Sequence, residues 1–349
     1  EPPDLWTSRM SSKWGDRIPH VRWDDGAQEE AWFVGDQRLA PVGSAAQAGW
    51  HEFAPAHPRR WEDCDPHTWD AALRLERMDE YGVWAQVLYP NVALFNASLL
   101  QDGDHELTLE YIRAYNDFQT DWCSTAPDRL IPVTSLPFWD LDATISEIER
   151  CHEIGHRGIT FSQDPTAFGL PHLTDPHWDR MWAVAQELGQ PVNFHIASGD
   201  TSMLSYSGHP SAGERALYAS MGVSFFLGNA RTISSLICGG ICHRFPDLNF
   251  VSVESGVGWI PFALDALDWQ WKNCGVAMEE EGAAYALERL GPDNVLYETD
   301  FPHPTSMSPG PGSAAQAPNI YLEQNFAGFS DEVLSKVLHD NASRLYRLS

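Results

Sequence analysis

Apolar and polar positions along this chain switch repeatedly between a helical spacing and a strand-like alternation. Residues 71–81 carry apolar side chains at helical spacing and are closed by Gly82, and the apolar run 83–88 then leads to a Tyr89-Pro90-Asn91 exit. The same unit recurs with helices over 104–125, 143–154 and 176–188, the last closed by Gly189, and strands over 130–136, 158–161 and 191–197. A Gly/Ser/Pro-rich loop, 198–213, precedes a helix over 230–244, a strand over 249–255, helices over 260–274 and 283–290, and a strand over 295–300. Two helices, 331–339 and 341–348, close the pattern. Strands alternating with helices predict right-handed βαβ units and a parallel sheet. Six strands are visible, so a closed eight-stranded barrel needs two more. Residues 1–69 show little periodicity and read as loops or a small β insertion, in which Glu1-Pro2-Pro3-Asp4-Leu5-Trp6 forms a capped turn entering a short helix. The expected organisation is one α/β domain over 1–349, with 1–69 as a loop-rich insertion and 70–349 as the barrel.

Three strands end in groups that bind metals. Val295 to His303 reads V-L-Y-E-T-D-F-P-H, an apolar run that finishes in Asp300 and is stopped by Pro302. In 191–197 strand alternation sets Asn193 and His195 on one face and Val192 and Phe194 on the other. In 249–255 Glu254 follows an apolar run and precedes Gly256-Val257-Gly258. A carboxylate buried there costs several kcal/mol unless it is paired or holds a cation. In parallel barrels chemistry sits where strands end. His195, Glu254, Asp300 and His303 are therefore the expected metal donors, with Glu254, Asp300 and His303 as the catalytic groups. The plainer alternatives are a hydrogen-bonded core histidine at 195, a capping aspartate at 300 and a turn residue at 303. Glu298 shares the parity of Asp300 and is a candidate supporting acid.

A length of 349 residues suits one α/β barrel, and the net charge of -27 excludes a basic stripe for nucleic acid or an anionic membrane surface. No apolar run is long enough to span a bilayer and no signal-peptide pattern is present. The six cysteines form no C-x-x-C pair and read as reduced thiols of a cytoplasmic protein; Cys238 and Cys242 lie one helical turn apart and read as packing. Fifteen tryptophans read as a bulky core with aromatic loops. Arg59, Arg60, His209 and Arg231 are candidate partners for a substrate carboxylate. No G-x-S-x-G elbow, P-loop, H-E-x-x-H or full G-x-G-x-x-G occurs, which removes serine-hydrolase and dinucleotide chemistry.

Glu76-Arg77-Met78-Asp79-Glu80-Tyr81-Gly82-Val83, Tyr115-Asn116-Asp117, Pro127-Asp128-Arg129-Leu130, Val192-Asn193-Phe194-His195, Arg244-Phe245-Pro246-Asp247-Leu248, Glu298-Thr299-Asp300-Phe301-Pro302-His303 and Asn341-Ala342-Ser343-Arg344-Leu345-Tyr346 occur in this order from end to end. In this it resembles the amidohydrolase-2 family, which includes the aminocarboxymuconate semialdehyde and resorcylate decarboxylase types. The resemblance implies a distorted TIM (β/α)8 barrel, a divalent metal (zinc, manganese or iron) held by His195 and Asp300, a small-molecule substrate and a homodimer. Two departures from the family pattern matter. A first-strand H-x-H, D-x-H or E-x-x motif is expected just before a turn like Glu1-Pro2-Pro3-Asp4, so the first-strand ligands are expected to be truncated, disordered or missing here, with Glu1 itself a candidate to reach the metal. Glu254 stands where the mononuclear enzymes tend to carry a catalytic histidine.

Two mechanisms follow, with a third reading beside them. One ion activates a water or holds a substrate carboxylate, for hydrolysis or decarboxylation, with Glu254 or His303 moving the proton. Alternatively, Glu254 bridges a diiron pair in a monooxygenase that hydroxylates an apolar substrate; Lys13, Lys272 and Lys336 are not at strand ends, so a lysine bridge is not available. The third is a barrel that binds without catalysis.

Overall fold

The computed structural model describes residues 1–91, 104–199, 210–273, 292–303, 306–313, 315–326 and 329–348. The helix expected over 283–290, His209 and Cys274 lie outside them. Two compact units are present: Glu1–Ser135 with Glu298–Phe329, and Leu136–Tyr297 with Ser330–Ser349.

In the first unit the aperiodic N-terminal region contains an antiparallel sheet of β1 (His20–Asp24), β2 (Glu29–Val34) and β3 (Gln37–Pro41) in the order β1-β2-β3. It shares a core with the following helical region: Trp6 meets Trp32 edge-on at 5.2 Å and stacks near Tyr115 at 6.4 Å, and its indole N–H donates to the Tyr111 carbonyl at 3.1 Å. Helix α1 (Ala71–Tyr81) starts where the Asp70 carboxylate accepts from the Leu73 N–H, and ends at Gly82, whose φ of 70° only glycine adopts without cost. Strand β4 (Gln86–Leu88), helix α2 (His105–Cys123) and strand β5 (Leu130–Pro132) follow, with β4 and β5 parallel. Asp104 caps α2 as Asp70 caps α1.

The second unit holds α3 (Leu141–Glu153), β6 (Ile159–Thr160), α4 (Asp179–Glu187), β7 (Val192–His195), α5 (Glu214–Cys238), α6 (Ile241–Arg244), β8 (Phe250–Val253) and α7 (Trp259–Asn273). Strands β6, β7 and β8 form a parallel ladder in that order, registered Ile159 to Val192, Val192 to Phe250 and His195 to Val253. All four residues of β7 are buried, as a central parallel strand covered on both faces requires. Aromatic rings fill its core: Phe161 meets Trp178, Trp182 and Phe194 edge-on, and Phe194 stacks on Phe250. The tryptophan excess thus goes largely into packing; Trp6, Trp32, Trp178 and Trp182 are among the largest fully buried side chains.

Two expectations need correction. The helix expected over 230–244 starts at Glu214 and breaks at Gly239-Gly240, where Gly240 has φ 69° and opens the separate α6. The 214–229 segment shows no polar face at helical spacing, so its periodicity is silent. The 295–300 stretch forms no strand ladder. Its backbone bonds elsewhere: the Tyr297 N–H donates to the Val337 carbonyl, the Val295 carbonyl accepts from the Asn341 side chain, and the Thr299 carbonyl accepts from the Met307 N–H. Among the described residues the parallel ladders contain two and three strands, not a closed ring of eight.

Candidate metal centre

In the second unit, β7 and β8 are neighbours in parallel register, so their ends present His195 and Glu254 side by side. His195 Nε2 lies 2.8 Å from Glu254 Oε2, and His195 Nδ1 donates to the Ile196 carbonyl at 2.8 Å. The carbonyl fixes the tautomer: with the proton on Nδ1, the Nε2 lone pair faces a carboxylate oxygen, and only a shared proton or cation makes that contact favourable. This donor set fits a divalent ion. Both strand tips are held from α5. The Asn229 side-chain N–H2 donates to the carbonyls of Phe194 at 2.9 Å and Val253 at 3.1 Å, the residues just before His195 and Glu254. The Asn229 side-chain oxygen accepts in turn from Gln163. Gly228 makes room for that contact, since a Cβ there would sit 3.2 Å from Gln163 Nε2.

Asn229 is fully buried. Asn229→Leu keeps the γ-branched shape and removes the clamp. It is expected to destabilise the protein by about 2–4 kcal/mol, because two buried carbonyls lose a donor. Divalent-metal affinity should fall as well. Thermal melts and metal titration check this, and unchanged metal affinity would show that the clamp does not align the pair.

In the first unit, Asp300 Oδ1 accepts from His303 Nδ1 at 2.7 Å, and the other ring nitrogen of His303 meets Asn91 Oδ1 at 2.5 Å. The Asn91 N–H donates to Glu1 Oε1 at 2.9 Å. Both nitrogens of His303 are thus engaged, one on the Asp300 carboxylate and one on an amide. Glu1 lies two hydrogen bonds away from His303 along this chain. The next residue, Phe301, is pinned: the Arg74 guanidinium lies 4.8 Å over its ring and Tyr81 meets it edge-on at 6.1 Å. Arg74 is 4% exposed, donates to the His67 and Thr68 carbonyls, and has its pKa pushed down to about 10 by burial.

The backbone at both acids is strained. Glu254 (φ 60°) and Asp300 (φ 54°) are in the left-handed region, as is Ala197 (φ 61°) just past His195. Non-glycine residues rarely hold this conformation, which costs about 1 kcal/mol or more and clusters at functional sites.

Other candidates fall outside these two pairs. Glu298 is exposed. Arg60 lies 4.4 Å over Trp23, Arg59 donates to the Gln28 carbonyl, and Arg231 pairs with Asp164 at 3.3 Å. Cys64, Cys123, Cys151, Cys238 and Cys242 are free thiols, and burial raises Cys64 and Cys123 to about 12, which keeps them inert. Among the described residues no helix is long and apolar enough to cross a membrane. Sequence reasoning missed Asn91, Asn229 and Arg74. Only Asn229 left a signal, a single amide inside the apolar run Val223 to Ala230.

The His195–Glu254 pair at neighbouring strand ends and the His303–Asp300 pair are imidazoles and carboxylates of the kind that hold divalent metals in enzymes. The Amidohydro_2 amidohydrolase family profile matches residues 48–348, and the chain belongs to that family. The gamma-resorcylate decarboxylase of Rhizobium radiobacter is 24% identical over 254 residues, covering 66% of this chain and 76% of that protein. The amidohydrolase map2389c from Mycobacterium avium subsp. paratuberculosis K-10 shares the fold with a TM-score of 0.72 at 20% identity, over 99% of this chain and 95% of the other. The 2,6-dihydroxybenzoate decarboxylase from Rhizobium aligns with a TM-score of 0.55 at 20% identity, over 79% and 87%. The chain is an enzyme of the metal-dependent hydrolase and decarboxylase kind. Its relatives favour that chemistry over the diiron monooxygenase and the non-catalytic barrel.

Proposed function

We propose that this enzyme decarboxylates a small hydroxylated carboxylic acid, using one divalent ion (zinc, manganese or iron) with His195 and Asp300 as donors and Glu254 as the proton-handling group. The observation that carries the reading is the His195–Glu254 pair, with its tautomer fixed by the Ile196 carbonyl. The named activities of the decarboxylase relatives support the substrate class. Hydrolysis of a carbonyl substrate by the same groups is the second reading, favoured by the family itself.

The ion, when bound, supplies positive charge to hold a substrate carboxylate and a neighbouring oxygen. His195 is oriented by its Nδ1 bond so that Nε2, on the side of Glu254, would be the nitrogen to hold the ion. His303 spends one nitrogen on Asp300 and the other on Asn91, which favours a role in orienting the Asp300 carboxylate over one as a third donor. Glu254, with a proton on its carboxyl group, delivers it to the carbon that carries the carboxylate. The carbon–carbon bond breaks, carbon dioxide leaves, and the carbon ends with hydrogen in its place. Glutamate acts here in the position expected of a histidine.

The test is metal content per chain, with carbon dioxide release from 2,6-dihydroxybenzoate and other hydroxybenzoates measured before and after chelation. About one ion per chain is expected, with activity lost on chelation and restored by one of the three metals. Two irons per chain, or activity indifferent to chelation, would overturn the reading. The homodimer is part of the proposal and is checked by sedimentation.

A further inference from the structure

The segment carrying Trp50 and the segment following His303 pack backbone to backbone in the first unit. The Ala48 N–H donates to the Pro302 carbonyl at 3.2 Å, and the Gly312 N–H to the Trp50 carbonyl at 3.1 Å. Two glycines permit the approach. A Cβ at Gly312 would lie 2.3 Å from the Glu52 carbonyl oxygen, and one at Gly310 would lie 3.2 Å from Gly49 Cα.

The two segments enclose a small recess whose lining includes Gln47, Trp50, Glu52, His303, Ser306 and Ser308. It has space for one water-sized group. Ser306 is only 2% exposed, and among the described residues its Oγ has no hydrogen-bond partner. The buried indole N–H of Trp50 has none either. By contrast, Ser308 is engaged with the Tyr81 hydroxyl at 3.1 Å, and Gln47 donates to the Ser44 carbonyl at 3.1 Å. Folded proteins seldom leave buried polar groups unpaired, and two of them belong to residues that line this one recess, which points to a group that arrives from outside.

The lining decides the chemistry of that group. Trp50 Nε1 can only donate, so the group must accept; Ser306 Oγ can donate or accept. Among the described residues no lysine or arginine lines the recess, and Glu52 brings a negative charge to it, which disfavours a carboxylate. A hydroxyl, accepting from Trp50 and donating to Ser306, satisfies both. We infer that this recess is a subsite for an uncharged hydroxyl of the substrate, beside His303. The inference rests on the proposed reading of a hydroxylated substrate and adds the residues that select the hydroxyl.

The probes are phenol, uncharged at neutral pH, and fluorobenzene, which has nearly the same shape and no O–H. Both are titrated by ligand-observed NMR against wild type, Trp50→Phe and Ser306→Ala, all metal-loaded. Wild type is expected to bind phenol about tenfold more tightly, a ratio one good hydrogen-bonded site supplies. In each variant the ratio should fall toward one, with fluorobenzene affinity unchanged. A crystal structure of the phenol complex should place the hydroxyl within hydrogen-bond distance of Trp50 Nε1 and Ser306 Oγ. No preference in wild type, a preference that survives both substitutions, or an ordered water in the recess with phenol elsewhere would each overturn the inference. Probe binding needs neither turnover nor a carboxylate. A protein inactive on every hydroxybenzoate but with the preference intact would lose the decarboxylase reading and keep the subsite.

Discussion

Asp300→Asn is expected to bind its divalent ion at least about 100-fold more weakly than wild type and to lose activity to near background, while melting within a degree or two of it. Asparagine is chosen over alanine for two physical reasons. Position 300 sits at φ 54°, a conformation asparagine tolerates far better than alanine. Its amide oxygen also accepts the bond that His303 Nδ1 gives to Asp300 Oδ1. What changes is therefore the charge of one donor. Metal content by plasma mass spectrometry and a thermal melt on the same sample check the result. Full metal occupancy in Asp300→Asn would sink the assignment of this residue as a ligand, whatever happens to activity.

The second large effect is at Glu254. Glu254→Gln preserves the shape and the contact with His195 but removes the ability to hold and release a proton. Activity should fall by about 10²- to 10⁴-fold, the usual contribution of a placed acid or base, with metal content retained. Pre-steady-state measurement of carbon dioxide release checks that the proton-transfer step is the one slowed. Metal lost in parallel with activity would instead make Glu254 a ligand first. Wild-type rates in Glu254→Gln would remove it from the chemistry altogether. Because Glu254 holds φ 60°, a glycine there should raise the melting temperature slightly while abolishing activity.

The candidate donors were legible because each ends or follows an apolar run, and burial makes a charged group there costly without a partner. His195 and Glu254 illustrate how far that goes. Alternation gave the face of His195 and an apolar run led to Glu254, but their 2.8 Å contact depends on β7 lying beside β8 in parallel register, a pairing made between segments 55 or more residues apart. His303 shows the limit. Its spacing from Asp300 allowed ligand or supporting residue equally, and the bond to Asn91, 212 residues away, favours the second.

Local rules settled what depends on neighbours in the chain. Asp70 and Asp104 cap α1 and α2, Gly82 ends α1, and alternation placed His195, all from interactions within a few residues. Even there, tertiary packing moved boundaries: α5 begins at Glu214, in a run with no amphipathic signal, and 295–300 forms no ladder because its groups bond to Val337, Asn341 and Met307. The tautomer of His195, the Asn229 clamp, the Arg74 cover on Phe301 and the recess at Trp50 and Ser306 were decided only in three dimensions. Each depends on which atoms of distant segments come within hydrogen-bond or ring-contact range, and a one-dimensional pattern carries no information about that distance.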